Sequence, residues 1–461
     1  MLESREAMAA PDRYTDQRQS GFHLGGAALC RLLVALALLL AIPTTVSAQT
    51  STADDVLRQW YKLSLALIRH TPTYSPPVAS RTIAYLGVTS YESVASGSPK
   101  LQSLAGQLNG LHPLPTRDGK LAYDDAVMLE AALAAEVEAL FTSTGPSGQQ
   151  AMQHLRHALD ESAAAGKAPD VVARSKAYGE AIAAHIAAWA REDGGAEVQN
   201  LGFPETYTLQ PGPAHWVPTN PTSRLQQTPL LPSWGKNRPF AMPAGTACPL
   251  PPPLDYSEDK GSEFYKQGLE VHDAVKDLTP EQRAIANFWA DDAMASPTPA
   301  GHWISIVLQI ADQKQLSLET TVDALARVGI GMADAFIGCW NAKYKYDLVR
   351  PITYIRRVIE PDWQPVLLTP PFPEYPSGHS TQSAAAATVL SKIFGDAFPF
   401  SDRTRERDGI KPRNFAGFWA AANEAAISRL YAGIHFRAAI ERGQAQGRCI
   451  GAFANALKTW K

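Results

Sequence analysis

The sequence predicts an all-α protein built mainly from one large helical-bundle domain. Most segments between residues 53 and 457 space their apolar residues three and four positions apart, as an amphipathic helix requires. We find no long segment in which apolar and polar residues alternate as they do in a strand. With 461 residues, 45% of them hydrophobic and 19% charged, the chain has enough apolar material for a sizeable core.

Residues 1–48 are predicted to be an export signal with its upstream segment, and residues 49–461 to form the helical domain. Residues 32–42 are an uninterrupted apolar run, and Val46 and Ala48 are small residues at positions suited to cleavage. The run is short for a membrane span, although an uncleaved anchor is the alternative. We therefore expect an exported protein, periplasmic or secreted, with no integral membrane domain after cleavage.

The predicted helices lie on both sides of a proline-rich segment. Val56, Trp60 and Leu63 share one face of the first helix. Thr279 and Pro280 mark the start of another, as an N-cap residue followed by proline in the first turn. The predicted helical ranges are 53–70, 78–96, 122–141, 150–192, a helix from 279 onward, 301–314, 317–348, 380–395, 413–431 and 436–457.

Residues 202–255 are predicted to form a long crossover without helices. Prolines recur throughout this segment, and each removes a backbone donor and fixes φ, so the chain must run extended. Trp216, Trp234 and Phe240 are spaced along it, whereas a solvated linker rarely carries such aromatic side chains. We therefore favour a crossover packed on one helical domain over a linker between two domains.

Charge and cysteine content restrict the classes of partner and site. The formal net charge of −3 gives no indication of a nucleic-acid partner. Beyond the predicted signal, Cys248, Cys339 and Cys449 are too few and too widely separated for a zinc or iron–sulfur site. They allow one disulfide bond, and the sequence leaves open which pair forms it.

One segment, CWNAKYKYDLVRP, combines cations with a helical repeat. Trp340, Lys343, Asp347 and Arg350 are separated by three, four and three positions, which predicts one stripe of a single helix ended by Pro351. Two cations on one stripe either face solvent, with Asp347 as an internal partner, or share an anion.

A second segment, SRLYAGIHFR, contains Arg429 and His435. The two residues are six positions apart with Gly433 between them. If the helix ends near Gly433, both side chains can turn toward one point, and the alternative is a capped helix end with a buried histidine.

A third segment, PEYPSGHSTQSAAAATVL, places His379 in a turn before an alanine-rich helix. We expect Ser380 or Thr381 to cap this helix. Ser377 and Gly378 can offer backbone N–H groups, and the positive end of the helix dipole favours an anion there.

Together these segments read K-x6-R-P, P-S-G-H and S-R-x5-H, within core motifs that span residues 339–437. Through these three motifs the chain resembles the superfamily of vanadium-dependent haloperoxidases and type 2 phosphatidic acid phosphatases. The longer stretches WNAKYKYDLVRPITYIR and TPPFPEYPSGHS resemble its exported bacterial haloperoxidase-like branch. The superfamily motif continues as H-x3-D, but this chain has Ala439 at the position of the aspartate. In many members that aspartate orients the histidine. Here either another carboxylate orients His435 or this interaction is absent.

The resemblance implies a role for each motif residue. The residues implied to bind oxyanion or vanadate oxygens are Lys343, Arg350, Ser377, Gly378 and Arg429. His435 is implied to be the axial partner, either as the vanadium ligand or as the nucleophile that forms a phosphohistidine. His379 is implied to act as general acid and base, and Lys343 to polarise bound peroxide.

The resemblance allows two enzymes with one site. The first is a vanadate-dependent haloperoxidase, which oxidises halide with hydrogen peroxide to hypohalous acid. The second is an acid phosphatase that needs no cofactor and acts on a phosphomonoester. Trp340 and Phe372 are expected to line and narrow the site, which favours the haloperoxidase because its substrates are small, unless both are simply core residues. A non-catalytic, exported oxyanion-binding protein is the third alternative.

Three other polar residues are weaker candidates. His302 is expected to be a core or capping histidine, with a place under the site or near its entrance as the alternative. Asp291 and Asp292 are expected to face different sides of a helix and to lie in solvent rather than bind a metal.

Overall fold

The predicted all-α fold class is confirmed by the computed structural model, which describes residues 50–199, 201–203, 206–219 and 228–461. The predicted export signal lies outside these residues, and the domain boundary next to it stays a prediction. The α-helices of the described residues are α1 Ala53–His70, α2 Pro76–Ala95, α3 Asp125–Leu140, α4 Pro146–Ala164, α5 Pro169–Ala190, α6 Glu263–Lys276, α7 Pro280–Phe288, α8 Thr298–Lys314, α9 Leu318–Tyr346, α10 Pro351–Val358, α11 Gly378–Phe394, α12 Phe418–Tyr431 and α13 Arg437–Ala456.

Helix α9 lies in the centre of the core, and α11 connects it to the C-terminal helices. Every residue of α9 from Thr321 to Trp340 is buried, and the helix packs against α2 and α11. Helix α13 also packs against α11, so closely that α13 needs glycine where the two helices touch. A Cβ on Gly447 would lie 2.0 Å from the carbonyl oxygen of Thr381, and one on Gly443 would lie 2.8 Å from that of Ser377. This close approach fixes the N-terminus of α11.

Several boundaries differ from the sequence prediction. The predicted helix 150–192 is two helices, because the chain breaks before Pro169 and restarts with proline in the first turn. The predicted helix 413–431 begins only at Phe418. Before it, strand β2 Arg413–Phe415 pairs antiparallel with β1 Phe400–Asp402. Strands of three residues are too short to display an alternating pattern, so the sequence did not reveal them.

The described part of the crossover packs on the helices through its aromatic residues. Trp216, Trp234 and Phe240 are all buried. The carboxylate of Asp334 on α9 accepts the backbone N–H groups of Phe240, Ala241 and Met242 at 2.6, 2.8 and 2.9 Å. Within this segment, Trp234–Lys236 form a single 3₁₀ turn.

The cysteines divide into one bridge and one buried thiol. Cys248 in the crossover forms a disulfide with Cys449 in α13, across a sequence separation of 201 residues. Cys339 is free and buried in α9. The bridge therefore attaches the end of the crossover to the helix that supports α11. Among the described residues, no helix combines the length and the apolar character that crossing a membrane requires.

Candidate active site

The three sequence segments meet at one cavity of about 400 Å³. Gly378 and His379 at the start of α11, Arg429 at the end of α12, and His435 just before α13 line it. Lys343 and Arg350 lie behind this lining, with relative exposures of 0% each. Arg350 connects the two layers, because its Nη1 atom lies 3.2 Å from Nε2 of His435.

The predicted single stripe of the first motif is wrong. Helix α9 ends at Tyr346, and Asp347 adopts a left-handed backbone conformation with φ of 47°. Arg350 lies beyond this turn as the N-cap residue of α10. Pro351 therefore begins a helix, in the first-turn position that proline favours. Asp347 is the partner of His215, at 3.2 Å, and of neither motif cation.

Lys343 anchors the loop that precedes α11. Its Nζ atom donates to the carbonyl oxygens of Pro373, Glu374 and Pro376 at 2.8, 3.1 and 2.5 Å. Burial lowers the pKa of Lys343 to about 7, with Arg350 adding to the effect. An anion bound nearby would favour the charged form of this amine.

The two arginines are held by carbonyl oxygens and keep part of their donor capacity. Arg350 donates to Phe372 at 2.8 Å and to Ile434 at 2.9 Å, while its Nη2 atom is buried without a protein partner. Arg429 donates to the Trp289 carbonyl at 2.6 Å. Burial lowers the pKa of each guanidinium to about 10, so both remain charged at neutral pH.

Ser377 is the N-cap residue of α11, so the prediction that Ser380 or Thr381 caps this helix is wrong. Its Oγ atom accepts from the backbone N–H of Ser380 at 3.3 Å and from that residue's hydroxyl at 2.9 Å. The helix then begins at Gly378. A Cβ on Gly378 would point toward Trp340 and Phe336, at 3.7 and 3.9 Å, so a side chain there would take up space in the cavity. The glycine leaves this helix N-terminus open to an anion.

His379 presents a free ring nitrogen to the site. Its Nε2 atom is buried and has no protein partner, while the ring hydrogen-bonds to the backbone of Trp289. Burial and the charge of Arg429 hold the pKa of His379 well below its ordinary value. The neutral ring can therefore accept a proton at Nε2.

His435 is held in one orientation by a carboxylate that the sequence did not identify. Its Nδ1 atom donates to Oε1 of Glu374 at 2.8 Å, and the same oxygen accepts the backbone N–H of Phe436 at 2.8 Å. Burial and the charges of Arg350 and Lys343 lower the pKa of His435 well below its ordinary value. The neutral ring thus carries its lone pair on Nε2, as a ligand or a nucleophile requires. In this structure the lone pair accepts a hydrogen bond from Nη1 of Arg350 at 3.2 Å, which a bound ligand would replace.

Glu374 takes the place that the superfamily motif gives to an aspartate after the histidine. It is fully buried, and burial raises its pKa to about 7. At the motif position, Ala439 is packed closely, and its carbonyl oxygen accepts the backbone N–H of Ser377 at 3.0 Å. The carboxylate that contacts His435 therefore lies in the loop before α11 and not on α13. The sequence signal that could have identified Glu374 was its position five residues before His379, in the segment PEYPSGH.

Next to His379 lies a buried ion triplet formed by Asp291, His302 and Asp402. The prediction that Asp291 lies in solvent is therefore wrong. Asp291 and Asp292 both lie in the loop after α7 rather than on a helix. Asp292 is exposed as expected, but Asp291 is buried. The fully buried ring of His302 contacts Asp291 at 2.9 Å and Asp402 of β1 at 2.8 Å. It also stacks on Trp289 at 4.6 Å, the residue whose backbone holds both Arg429 and His379.

We expect the His302→Gln variant to lower the free energy of unfolding by about 3–5 kcal/mol near neutral pH, because it removes the cation that lies between two buried carboxylates. Asp291 keeps a second cation, Arg405, at 3.7 Å, and Asp402 loses its ion pair. Burial opposes the charged ring, but Asp291 and Asp402 outweigh it and raise the pKa of His302 from 6.5 to about 10. A raised pKa gives stability that is complete below pH 6.5 and lost as the pH rises toward 10. Urea unfolding across this range should show the gap between the two proteins closing.

The control for this measurement is His157→Gln. The side chain of His157 is 76% exposed and lies near Glu161 on α4, so its replacement should change the unfolding free energy little at any pH. The difference in unfolding free energy between the wild type and His302→Gln should shrink as the pH rises. If this difference stayed constant up to pH 10, the triplet would carry no charged histidine.

Trp340 and Phe372 line the cavity and pack on the motif cations. Their ring centroids lie 4.9 Å apart. Nζ of Lys343 lies 5.0 Å, and Cζ of Arg350 4.9 Å, from the centre of the Phe372 ring. The cavity is nevertheless large enough to admit a phosphomonoester as well as a halide, so its size does not separate the two activities.

The arrangement fits a multiply charged oxyanion such as vanadate. Three buried cations surround the histidines. Glu374 offsets part of the charge of Lys343 and Arg350, and Asp292 and Asp291 offset part of that of Arg429. Nη2 of Arg350 and Nε2 of His379 are buried polar atoms without protein partners, and such atoms are costly unless a ligand or water satisfies them. Of the residues predicted to hold the anion, Gly378, Arg429 and His435 line the cavity, and Lys343, Arg350 and Ser377 lie behind them.

Comparison with known proteins shows that this chain is similar to vanadium enzymes. A family model described as the VCPO second helical-bundle domain matches residues 323–459. Vanadium chloroperoxidase of Curvularia inaequalis is 24% identical over 473 residues, covering 81% of this chain and 77% of that protein.

Two solved bacterial structures extend the comparison. A bacterial vanadium-dependent iodoperoxidase superposes with a TM-score of 0.80 and 38% identity, covering 88% of this chain and 97% of the other. The holo form of a bacterial vanadium-dependent chloroperoxidase gives a TM-score of 0.66 at 16% identity, with coverages of 84% and 93%. At that identity, the second likeness shows the fold alone.

Proposed function

Because the chain belongs to the vanadium-dependent haloperoxidases and is an oxidoreductase, we propose that it holds vanadate and oxidises iodide in preference to bromide and chloride. The observation that carries the proposal is the 38% identity, over 88% of this chain, with a bacterial iodoperoxidase. The overall reaction consumes halide, hydrogen peroxide and a proton, and yields hypohalous acid and water.

The halide preference is supported by the walls of the cavity. Phe336, Trp340, Phe372 and Leu230 line it with carbon atoms. An anion that enters must lose part of its hydration shell, and this cost is greater for a small, strongly hydrated anion. Iodide, which is the largest and least hydrated of the three halides, therefore enters at the lowest cost.

Each motif residue has a task in the proposed mechanism. Bound vanadate supplies a Lewis-acidic centre that activates hydrogen peroxide for two-electron transfer. Lys343, Arg350 and Arg429 balance the anion's charge, and the start of α11 offers it N–H groups. His435 would bind vanadate through Nε2, and Glu374 accepts a hydrogen bond from its opposite nitrogen.

His379 handles the proton in this scheme. Its neutral Nε2 can take the proton that hydrogen peroxide loses on binding and return it to the hypohalous acid that leaves. Trp289 holds this ring through its backbone, so proton transfer depends on the loop that the His302 triplet supports.

The test compares three halides with the vanadate-loaded protein, and runs p-nitrophenyl phosphate in parallel. We expect kcat/KM for iodide to exceed that for chloride by at least about tenfold, a difference of about 1.4 kcal/mol. Equal values for iodide and chloride would refute the preference. Phosphate ester hydrolysis without halide turnover would instead favour the phosphatase, and no turnover in either assay would favour an oxyanion-binding protein.

A further inference from the structure

Trp289 holds two residues of the candidate site from outside the cavity. Its backbone carbonyl oxygen accepts from Nη2 of Arg429 at 2.6 Å, and its backbone also hydrogen-bonds to the ring of His379. Trp289 itself is 1% exposed and does not line the cavity. Its position must therefore be fixed from behind, by the contacts that its side chain makes.

The face of the Trp289 indole packs on His302. The two ring centroids lie 4.6 Å apart with an angle of 17° between the ring planes, which is a stacked arrangement. Nε2 of His302 contacts Oδ2 of Asp402 at 2.8 Å, and Asp402 is the last residue of β1. The face of the indole is therefore connected through a single side chain to the β-hairpin.

The edge of the same indole is held by a second chain of contacts. Nε1 of Trp289 donates to Oε1 of Glu424 on α12 at 3.0 Å. The two carboxylate oxygens of Glu424 in turn accept from Nε and Nη2 of Arg413 at 2.5 and 2.8 Å, and Arg413 is the first residue of β2. Because a bidentate pair of arginine and carboxylate is strong and directional, Glu424 is held facing the indole.

Both chains of contacts start from one pair of residues in the β-hairpin. Asp402 and Arg413 lie opposite each other in the antiparallel register of β1 and β2. The hairpin thus reaches Trp289 twice, at its face through His302 and at its edge through Glu424. Contacts on two sides of a ring fix its position and its rotation together, which neither contact does alone. We call these four residues behind Trp289 the hairpin clamp.

We infer that the hairpin clamp positions the proposed proton carrier, His379, by fixing Trp289 between the hairpin and the site. The four residues of the clamp are positioning residues, because none of them lines the cavity. Proton transfer needs hydrogen-bond reach, and a displacement of about 1 Å can lower a rate about 100-fold. The part of the inference that concerns turnover rests on the proposed function, whereas the position of the ring does not.

Arg429 should depend less on the clamp than His379 does. Besides its bond to Trp289, Arg429 donates from Nε to the hydroxyl of Ser428 at 3.0 Å and from Nη2 to the carbonyl oxygen of Ala286 at 3.4 Å. His379 has no protein partner at Nε2, so its ring relies on the contact with Trp289. A looser Trp289 is therefore expected to affect proton transfer more than anion binding.

The test replaces Glu424 with glutamine, which keeps the shape of the side chain and removes the charge that Arg413 binds. In the vanadate-loaded protein we expect kcat for iodide to fall about tenfold, while KM for iodide and vanadate affinity change less than about twofold. The matched control is Glu406→Gln, because Glu406 pairs with Arg403 at 3.0 Å between β1 and β2 but is not part of the clamp. Equal kcat values in the two variants, both verified as folded by circular dichroism, would overturn the inference.

A double variant separates positioning from a general loss of stability. In a His379→Gln background, which already lacks the proposed proton carrier, Glu424→Gln should lower kcat by less than about a further twofold, because residues that act through one another are not additive. A purely structural role would instead lower the free energy of unfolding and leave kcat of the folded protein unchanged. A loss of kcat that kept its full size in the His379→Gln background would show that Glu424 acts elsewhere.

A readout without turnover tests the position of the ring itself. In vanadate-free protein labelled with ¹⁵N at histidine, the NMR signals of His379 are those that disappear in His379→Gln. They should shift in Glu424→Gln and in Trp289→Phe, which removes the indole donor, and stay unchanged in Glu406→Gln. Trp289→Phe keeps an aromatic ring to stack on His302, so it provides a second variant if Glu424→Gln does not fold. Unchanged signals in both clamp variants would overturn the inference.

Failure of the inference can be distinguished from failure of the proposed function. If the wild-type protein oxidises no iodide with vanadate and peroxide, the proposed function fails, while the histidine signals still decide whether the clamp positions the ring. If iodide is oxidised normally and neither kcat nor the histidine signals respond to Glu424→Gln, the function stands and the hairpin clamp is refuted.

Discussion

The His435→Ala variant is expected to lose tight vanadate binding and halide oxidation together. The imidazole Nε2 of His435 is the proposed ligand atom, and its ring is held in place because Nδ1 donates to Glu374. Changes to residues that merely orient a metal ligand cost about 10–100-fold in affinity, so loss of the ligand itself should cost at least about 100-fold. Vanadate titration by calorimetry, with circular dichroism to verify folding, measures this loss.

The comparison variant for His435→Ala is His379→Gln. It removes the proton carrier but no proposed ligand, so vanadate affinity should change little while kcat falls about 10²–10⁴-fold. The pair therefore separates anion binding from proton transfer. If His435→Ala retained full iodide oxidation, the assignment of His435 as the vanadate ligand would be wrong.

Replacing Glu374 with glutamine is expected to weaken vanadate binding by about 10–100-fold, although Glu374 is not proposed to contact vanadate. The amide can still accept a hydrogen bond from His435, but it removes the negative charge that makes the ring a better donor. It also removes the carboxylate that offsets the buried charges of Lys343 and Arg350. Both vanadate affinity and the pH dependence of turnover should therefore change.

A second glutamate–histidine pair gives the matched control. Glu360 contacts Nε2 of His272 at 2.8 Å and is 53% exposed, outside the cavity. Glu360→Gln should leave vanadate affinity unchanged. If the two variants behaved alike, Glu374 would have no special role in orienting His435. Adding Ala439→Asp to the Glu374 variant should recover part of the affinity, if the carboxylate can act from either position.

The long helices could be predicted because each buries one face, and that leaves a repeat in the sequence. The first predicted helix, 53–70, agrees with α1. The prediction failed where short elements depend on distant partners. The β-hairpin contains two three-residue strands, and the turn at Asp347 depends on a left-handed residue within an otherwise helical pattern. Neither feature leaves a repeat that can be read from a single sequence.

The site divides in the same way. The motif spacing indicated the cations and both histidines, and these residues come together around one cavity, although their roles remain proposals. The residues that orient them were missed because their contacts join distant parts of the chain. Glu374 lies 61 residues from His435, and Asp402 lies 100 residues from His302. Such pairs become visible only when the fold brings them together.

The distribution of sulfur affects how long such an enzyme survives its own product. Hypohalous acid oxidises thiols and thioethers, and exposed sulfur reacts first. In the part of the chain that the structure describes, Cys248 and Cys449 are already joined, and Cys339 is buried in α9. Of the methionines described, Met294 is the exposed one, and it lines the cavity in which we propose that the oxidant forms. Oxidative damage should therefore begin at a replaceable surface residue rather than in the core.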